Sequence, residues 1–386
     1  MLNARLRPAL CVSGSFIRPV IWMDQSTPSE EILIDDLTIW RHQIRAAEHA
    51  VLPPSTSRPN PLALDDLVVA SVFAPGAIYA VDRDTGKRRW RLRTGALAAG
   101  NVTYADETLY GMTSQTLFAL DPATGHVRWT FCPYGTGHEW MYSSPTVKDG
   151  RLFIGDRAGR FHCLCTKTGK WIWWRQASRA RNRDVNATAI VRDNLAIVAA
   201  NSGLAVGFEA ATGRQVWRTK LDGPATSELG LFQRHVLVAT CRSVYLLKPS
   251  DGEVIHKWGW KAKEVRAVAT ANEKIFVVVD GKEKPVNGRA GSPAKESARL
   301  ICFRMDRVIF EQPASQFTCA LRWDRSSGDL YESRIDGFGI IDGRTGVRTH
   351  EIKSRDGLLQ PGLVDIRDGI IYLLSMKGVM YALRHP

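Results

Sequence analysis

Arginine is the side chain in this sequence best placed to do chemistry. The run SRARNRD at 178–184 sets Arg179, Arg181 and Arg183 on alternate positions, with Arg157 and Arg160 upstream. A guanidinium fork donates paired hydrogen bonds to carboxylate or phosphate oxygens. Five such groups on one surface would make a site for an acidic partner, either another protein subunit or a nucleic acid. Trp140, in YGTGHEWMYSS, has Tyr134 and Tyr142 close by. Aromatic faces exposed there would stack on bases or pack on a protein, although the same residue types serve equally well in a core. The chain carries a formal charge of +13, from 52 basic and 39 acidic residues. That balance favours acidic or polyanionic partners, while a loosely scattered basic surface would give the same sum.

The groups that would do catalysis do not assemble. His138 and Glu139 are adjacent, so on a strand they point to opposite faces, and no further ligand pair accompanies them. Cys163-x-Cys165 places both thiols on one strand face and reads as two small core residues. Asp184 and Glu228 stand without acid–base partners. The sequence contains no GxSxG, no HExxH and no Gly-rich loop followed by Lys-Ser/Thr. The expectation is a protein that is not an enzyme, with no catalytic residue, no cofactor and no metal.

The elements that must position the arginines repeat. AIYAVDRDTGKRRW at 77–90 returns as TLFALDPATGHVRW at 116–129, RFHCLCTKTGKWIWW at 160–174, GLAVGFEAATGRQVW at 203–217 and SVYLLKPSDGEVIHKW at 243–258. Weaker copies stand at 338–352 and 378–386. The apolar run alternates in period two and suits a strand. DxxTG is turn chemistry, with Gly where a positive φ is needed. The segment ending in Trp is a second, antiparallel strand. Two more short strands precede most copies, such as SSPTVK at 143–148 and DGRLFIG at 149–155. Four strands at a period of about 40 residues is the signature of a β-propeller blade.

The phrase resembles the repeat of the pyrroloquinoline-quinone (PQQ)-like propellers over most of residues 64–386. The chain is similar in repeat type and blade number to the outer-membrane assembly lipoprotein of that group. The resemblance implies that the Trp of each blade docks on a glycine of its neighbour. The matching residues here are Trp90, Trp129, Trp174, Trp217 and Trp258. VIF at 308–310 and VRTHEI at 347–352 lack a Trp and depart from the pattern. The quinone-dependent dehydrogenases of the family carry adjacent cysteines and carboxylate ligands for calcium. No Cys-Cys dipeptide exists here, which leaves quinone catalysis a remote reading.

Central strand pairs fall near 67–82, 108–121, 151–165, 195–209, 236–248, 274–303, 329–342 and 370–384. The fold expected is all-β: a single propeller of eight four-stranded antiparallel blades over 37–386. The last pair has no Trp strand after it, while LTIWRHQI at 37–44, with Trp40, is an orphan near the start. A ring closes so that no sheet edge is left open, so 37–44 is expected to complete the last blade. Residues 1–36 match no blade and form an extension, disordered or docked. Residues 281–297 are a Gly-, Pro- and Lys-rich insertion in the sixth blade.

Seven scattered cysteines fit a reducing compartment. No stretch is long enough to span a bilayer, and Cys11 is preceded by Ala9-Leu10 rather than by the small residue a lipoprotein signal wants. A cytoplasmic protein that meets no membrane is expected. Two functions fit: a non-catalytic platform for other subunits of a larger assembly, or a nucleic-acid-binding subunit using a basic face.

Overall fold

The computed structural model describes residues 30–44, 60–72, 76–94, 100–133, 141, 143–225, 229–260, 263–271, 273–281, 298–305, 307–315, 318–334, 336–354, 364–375 and 378–386, with short stretches at 11–12 and 15–16. Trp140, Tyr134, Tyr142, the His138-Glu139 pair, Glu228 and positions 282–297 of the insertion lie outside the described residues.

Eight antiparallel meanders make eight blades. The first blade comprises Leu62–Ala63, Leu67–Val72, Ala77–Asp82 and Arg88–Arg93. The third comprises Thr146–Lys148, Arg151–Gly155, Arg160–Cys165 and Trp171–Gln176. In both, the two middle strands are almost wholly buried, because each sheet face packs on the next blade. The outermost strand buries only its docking side and alternates with exposed residues, as period-two geometry demands.

The eighth blade joins the two ends of the ring. Asp365–Arg367, Ile370–Leu374 and Val379–Arg384 are followed in space by Thr38–Gln43, in the register Val379 with Gln43 and Ala382 with Trp40. The segment at 37–44 is therefore the outer strand that the open last repeat required.

The repeated turn has a physical cause. Asp82 Oδ1 accepts from the Thr85 backbone N–H at 2.9 Å and the Thr85 hydroxyl at 2.7 Å. Those bonds, led by the Thr85 hydroxyl, together with Arg89, hold the Asp82 carboxyl at about 2. Asp121 repeats the arrangement with Thr124 and Arg128. The glycine that follows has φ +68° at Gly86 and +70° at Gly125. A Cβ on Gly125 would also stand 2.6 Å from Trp90 of the preceding blade, so conformation and space both require glycine.

That contact is the blade-to-blade latch. Trp40, Trp90, Trp129, Trp173 and Trp217 lie over Gly86, Gly125, Gly169, Gly213 and Gly252 respectively. Each indole N–H donates to a turn carbonyl of the next blade: Arg83, Pro122, Thr166, Ala210 and Pro249, at 2.7–3.0 Å.

Two of the docking residues expected from the sequence need correction. In the third blade the latch is Trp173, and Trp174 is 47% exposed. The docking position is the fourth after the turn glycine, and the pleat turns the next side chain away. Trp258 stands six places after Gly252 and does not dock on a turn glycine. It is buried against Phe303, ring centroids 4.9 Å apart, because the sixth blade turns through Arg304 and Arg307 without a glycine there. Phe310 supplies the next latch, over Gly346.

The seventh blade departs furthest. Where the other outer strands bury an aromatic ring against the next blade, on a turn glycine in all but the fifth, Arg348–Lys353 carries charge. Glu332 is fully buried and pairs with Arg348 at 2.5 Å; Arg334 and Glu351 form a second pair beside it. This blade alone among those described has a fifth strand. Glu30–Leu33 adds to its outer edge in parallel, Glu30 beside His350 and Leu33 beside Lys353, with Lys353 bonded to Glu31 at 2.6 Å. Part of the 1–36 extension is thus docked on the ring.

Candidate partner-binding site on the third blade

Arg157 lies in the turn between the second and third strands of the third blade, and Arg160 opens the third strand. Arg179, Arg181 and Arg183 lie in the loop running from Gln176 to the first strand of the fourth blade, Ile190–Arg192. The two loops are tied together by their backbones. Ala177 and Ser178 N–H groups both donate to the Gly159 carbonyl, and Val185 N–H donates to the Asp156 carbonyl. A Cβ on Gly159 would meet the Ser178 carbonyl at 2.3 Å, so only glycine permits the approach. Gln176 Nε2 donates to the carbonyls of Ala158 and Ser178 and closes the loop base.

The result is a cleft of about 180 Å³ lined by Ala158, Arg160, Gln176, Arg179 and Arg183. Three of the five expected arginines therefore converge. Arg157 stands beside them and pairs with Asp184 at 3.2 Å. Arg181 is exposed in the same loop but does not line the cleft. The structure thus gives Asp184 a role as a counter-charge at the rim.

Joined to the Arg160 backbone is a hydrogen-bonded relay, buried at Asp156 and His162, that sequence reasoning missed. Asp156 is fully buried; its Oδ1 accepts the Arg160 backbone N–H at 2.9 Å and its Oδ2 meets His162 Nε2 at 2.8 Å. Trp171 Nε1 lies 3.2 Å from His162 Nδ1. An indole can only donate, so Nδ1 accepts and Nε2 carries the hydrogen given to Asp156. Phe131 closes edge-on over Trp171 and His162. The sequence signal available was the alternation of Arg160 and His162 on a strand that begins four residues after an aspartate.

The neighbouring thiols differ. Cys163 is buried, which pushes its thiol up to about 12. Cys165 is partly exposed rather than in the core. It takes the turn position held elsewhere by aspartate, and the Thr168 hydroxyl draws its thiol below the ordinary range. Among the described residues, no three His, Cys, Asp or Glu side chains stand close enough to hold a metal ion.

A second hollow of about 470 Å³ lies among the inner strands of blades five to eight, lined by residues including Leu229, Leu237, Leu321, Arg322, Trp323, Asp324 and Ile366. A quinone with a calcium partner needs several converging carboxylates. Asp324 is the one carboxylate in that lining, and it accepts from Ser326 and Ser327 of its own turn. Arg322 is paired with Asp365. These residues do not fit that group.

An eight-bladed ring latched by Trp-on-Gly contacts, with repeated DxxTG turns, defines a propeller of the PQQ-repeat class. The profile of the family described as outer membrane protein assembly factor BamB matches residues 34–203, 113–255 and 201–292, and the chain belongs to that family. It is 27% identical over 274 residues to the outer membrane protein assembly factor BamB of Yersinia pestis, covering 64% of this chain and 66% of that one. The structure of BamB from Moraxella catarrhalis superposes with a TM-score of 0.54 at 17% identity, covering 85% of each chain. The quinohemoprotein alcohol dehydrogenase of Comamonas testosteroni superposes with a TM-score of 0.67 at 12% identity, over 89% of this chain and 76% of that one, a likeness of fold alone.

Proposed function

We propose that this protein is a non-catalytic platform, one subunit of a larger bacterial protein assembly, and that the arginine cleft of the third blade is part of its partner site. The observation that carries the reading is the convergence of Arg160, Arg179 and Arg183 on one cleft whose walls are fixed by backbone hydrogen bonds. A preformed cationic concavity costs little ordering on binding and suits carboxylates. Family membership supports a partner that is a protein, since the family is that of an outer membrane protein assembly factor. The free thiols at Cys132, Cys163, Cys165, Cys241, Cys302 and Cys319 support a reducing compartment.

The test is affinity capture from the source cell with the intact chain and with the variant Arg179→Glu, Arg181→Glu, Arg183→Glu. The parent is expected to retain a discrete protein partner whose association weakens with salt, and the variant to lose it. Capture of nucleic acid instead, removed by nuclease, would replace a protein partner by the polyanion reading. Equal capture by parent and variant would remove the cleft from the interface.

A further inference from the structure

We propose that the outer edge of the third blade captures an extended segment of a partner protein as a fifth, parallel strand, apolar along its length and acidic at its C-terminal end. This rests on the platform reading and specifies what the partner presents.

The molecule contains the precedent. Glu30–Leu33 already adds in parallel to the seventh blade's outer strand, Arg348–Lys353, and Asp35 and Asp36 follow it. Edge addition of this kind gains main-chain hydrogen bonds and takes specificity from alternate side chains. The third blade's outer strand, Trp171–Gln176, starts at the same distance from its turn glycine, Gly169, as Arg348–Lys353 does from Gly346. Among the described residues no strand covers it.

Its exposed face is unlike the other rims. Trp171, Ile172 and Trp174 are 49%, 44% and 47% exposed, whereas the fifth blade's outer strand exposes two large apolar residues and the fourth and eighth one each. The two indoles are held in place. Trp171 is fixed by its bond to His162, and the Arg160 guanidinium lies 5.6 Å over the Trp174 ring. Rigid, half-exposed aromatic anchors of this sort carry binding energy at low entropic cost. The Trp174 carbonyl is covered by Arg175 Nη1 at 2.8 Å, a side-chain bond that an incoming backbone amide would replace.

The direction follows from the cleft. Gln176 ends the strand and lines the arginine cleft. In the register of the seventh blade, Leu33 pairs with Lys353, the position equivalent to Gln176. Residues after that point would run onto Arg160, Arg179 and Arg183. An acidic C-terminal end is therefore complementary, and the segment Glu-Glu-Ile-Leu-Ile-Asp-Asp at 30–36, a strand over Glu30–Leu33, has the apolar centre and the acidic C-terminal end, with two further glutamates at its start.

The probe is a fluorescent, end-capped peptide of sequence 30–36, titrated into the intact protein. Saturable binding is expected, weakened about tenfold or more by Trp174→Glu or Ile172→Glu, each checked for an unchanged thermal transition. A peptide of the same sequence N-methylated on alternate amides keeps its charge but cannot pair, and is expected not to bind. No binding of the unmodified peptide overturns the proposal, as does binding indifferent to both edge variants. If the methylated peptide binds equally and only the Arg179/Arg181/Arg183 variant loses it, strand capture is overturned while the arginine cleft stands as a partner site.

Discussion

The third and seventh blades are built on one repeat and treat their outer edges in opposite ways. The third latches with Trp173, exposes two further indoles and, among the described residues, has no strand covering its edge beside an arginine cleft. The seventh has lost the latch, buries Glu332 with Arg348 in its place and covers its edge with the chain's own strand. An open strand edge is normally a hazard that proteins blunt with charge or cover. The contrast teaches that structural satisfaction and availability are divided between blades. The blade whose edge is already satisfied carries charge inward; the blade with no covering strand among the described residues carries aromatics outward.

The harshest way to break this comparison is at the N-terminal side of the ring. Removing residues 1–45 takes away Thr38–Gln43 and the Trp40 latch as well as the seventh blade's fifth strand. Loss of a cooperative thermal transition is expected, whereas removal of 1–29 leaves both elements and should lower the midpoint little. A folded ring without 1–45 would show that the eighth blade does not need its borrowed strand.

Two substitutions weigh the latches directly. Trp173→Ala is expected to cost about 3–5 kcal/mol in denaturant unfolding, since it opens a cavity and frees the Ala210 carbonyl. Trp174→Ala, one residue on, should cost under about 1 kcal/mol as an exposed side chain. In the seventh blade, Glu332→Ala strands part of a buried cation and is expected to cost about 3 kcal/mol or more. A seventh blade indifferent to that change would mean its ion pairs only fill space.

Acid titration sharpens the comparison between the turns. Asp82 and Asp121 have carboxyls lowered to about 2 by their threonine and arginine partners. Their contribution is complete above the ordinary aspartate value, about 3.9, and is lost as pH falls from there towards 2. Asp82→Asn should flatten the fall of thermal midpoint over that window. The smallest stability effect belongs to the cleft itself. The triple arginine-to-glutamate variant should unfold within about 1 kcal/mol of the parent, because exposed loop charges contribute little.

Much of the ring was legible in the sequence, because the strand–turn–strand phrase recurs with its glycine. Even the closure could be read, since a last repeat without an outer strand demands one elsewhere. What escaped was set by register and by distance. Trp173 and Trp174 are the same residue type, and only counting from Gly169 tells the latch from the exposed ring. Glu30–Leu33 is too short to announce itself as a strand, and its partner lies at the far end of the sequence. The arginines of the site stood out by composition, but the cleft depends on the close backbone approach at Gly159 and on the Gln176 side-chain amide reaching two main-chain carbonyls, which no repeat pattern records. The Asp156–His162–Trp171 relay joins a turn, a middle strand and an outer strand, and none of those positions is unusual alone.

The shared eighth blade also bears on how the molecule comes into being. Its first strand in sequence, Thr38–Gln43, finds its partner only after Val379–Arg384 has been synthesised. Nearby, the Ala63 amide waits for the Asp365 carboxylate across 302 positions. Contacts between such distant residues are the slowest to form, and chains that await them expose apolar strands meanwhile. Seven blades can assemble one by one as they emerge, but the ring becomes a ring in a single late event, so Trp40 and its neighbours must be kept from other edges until then.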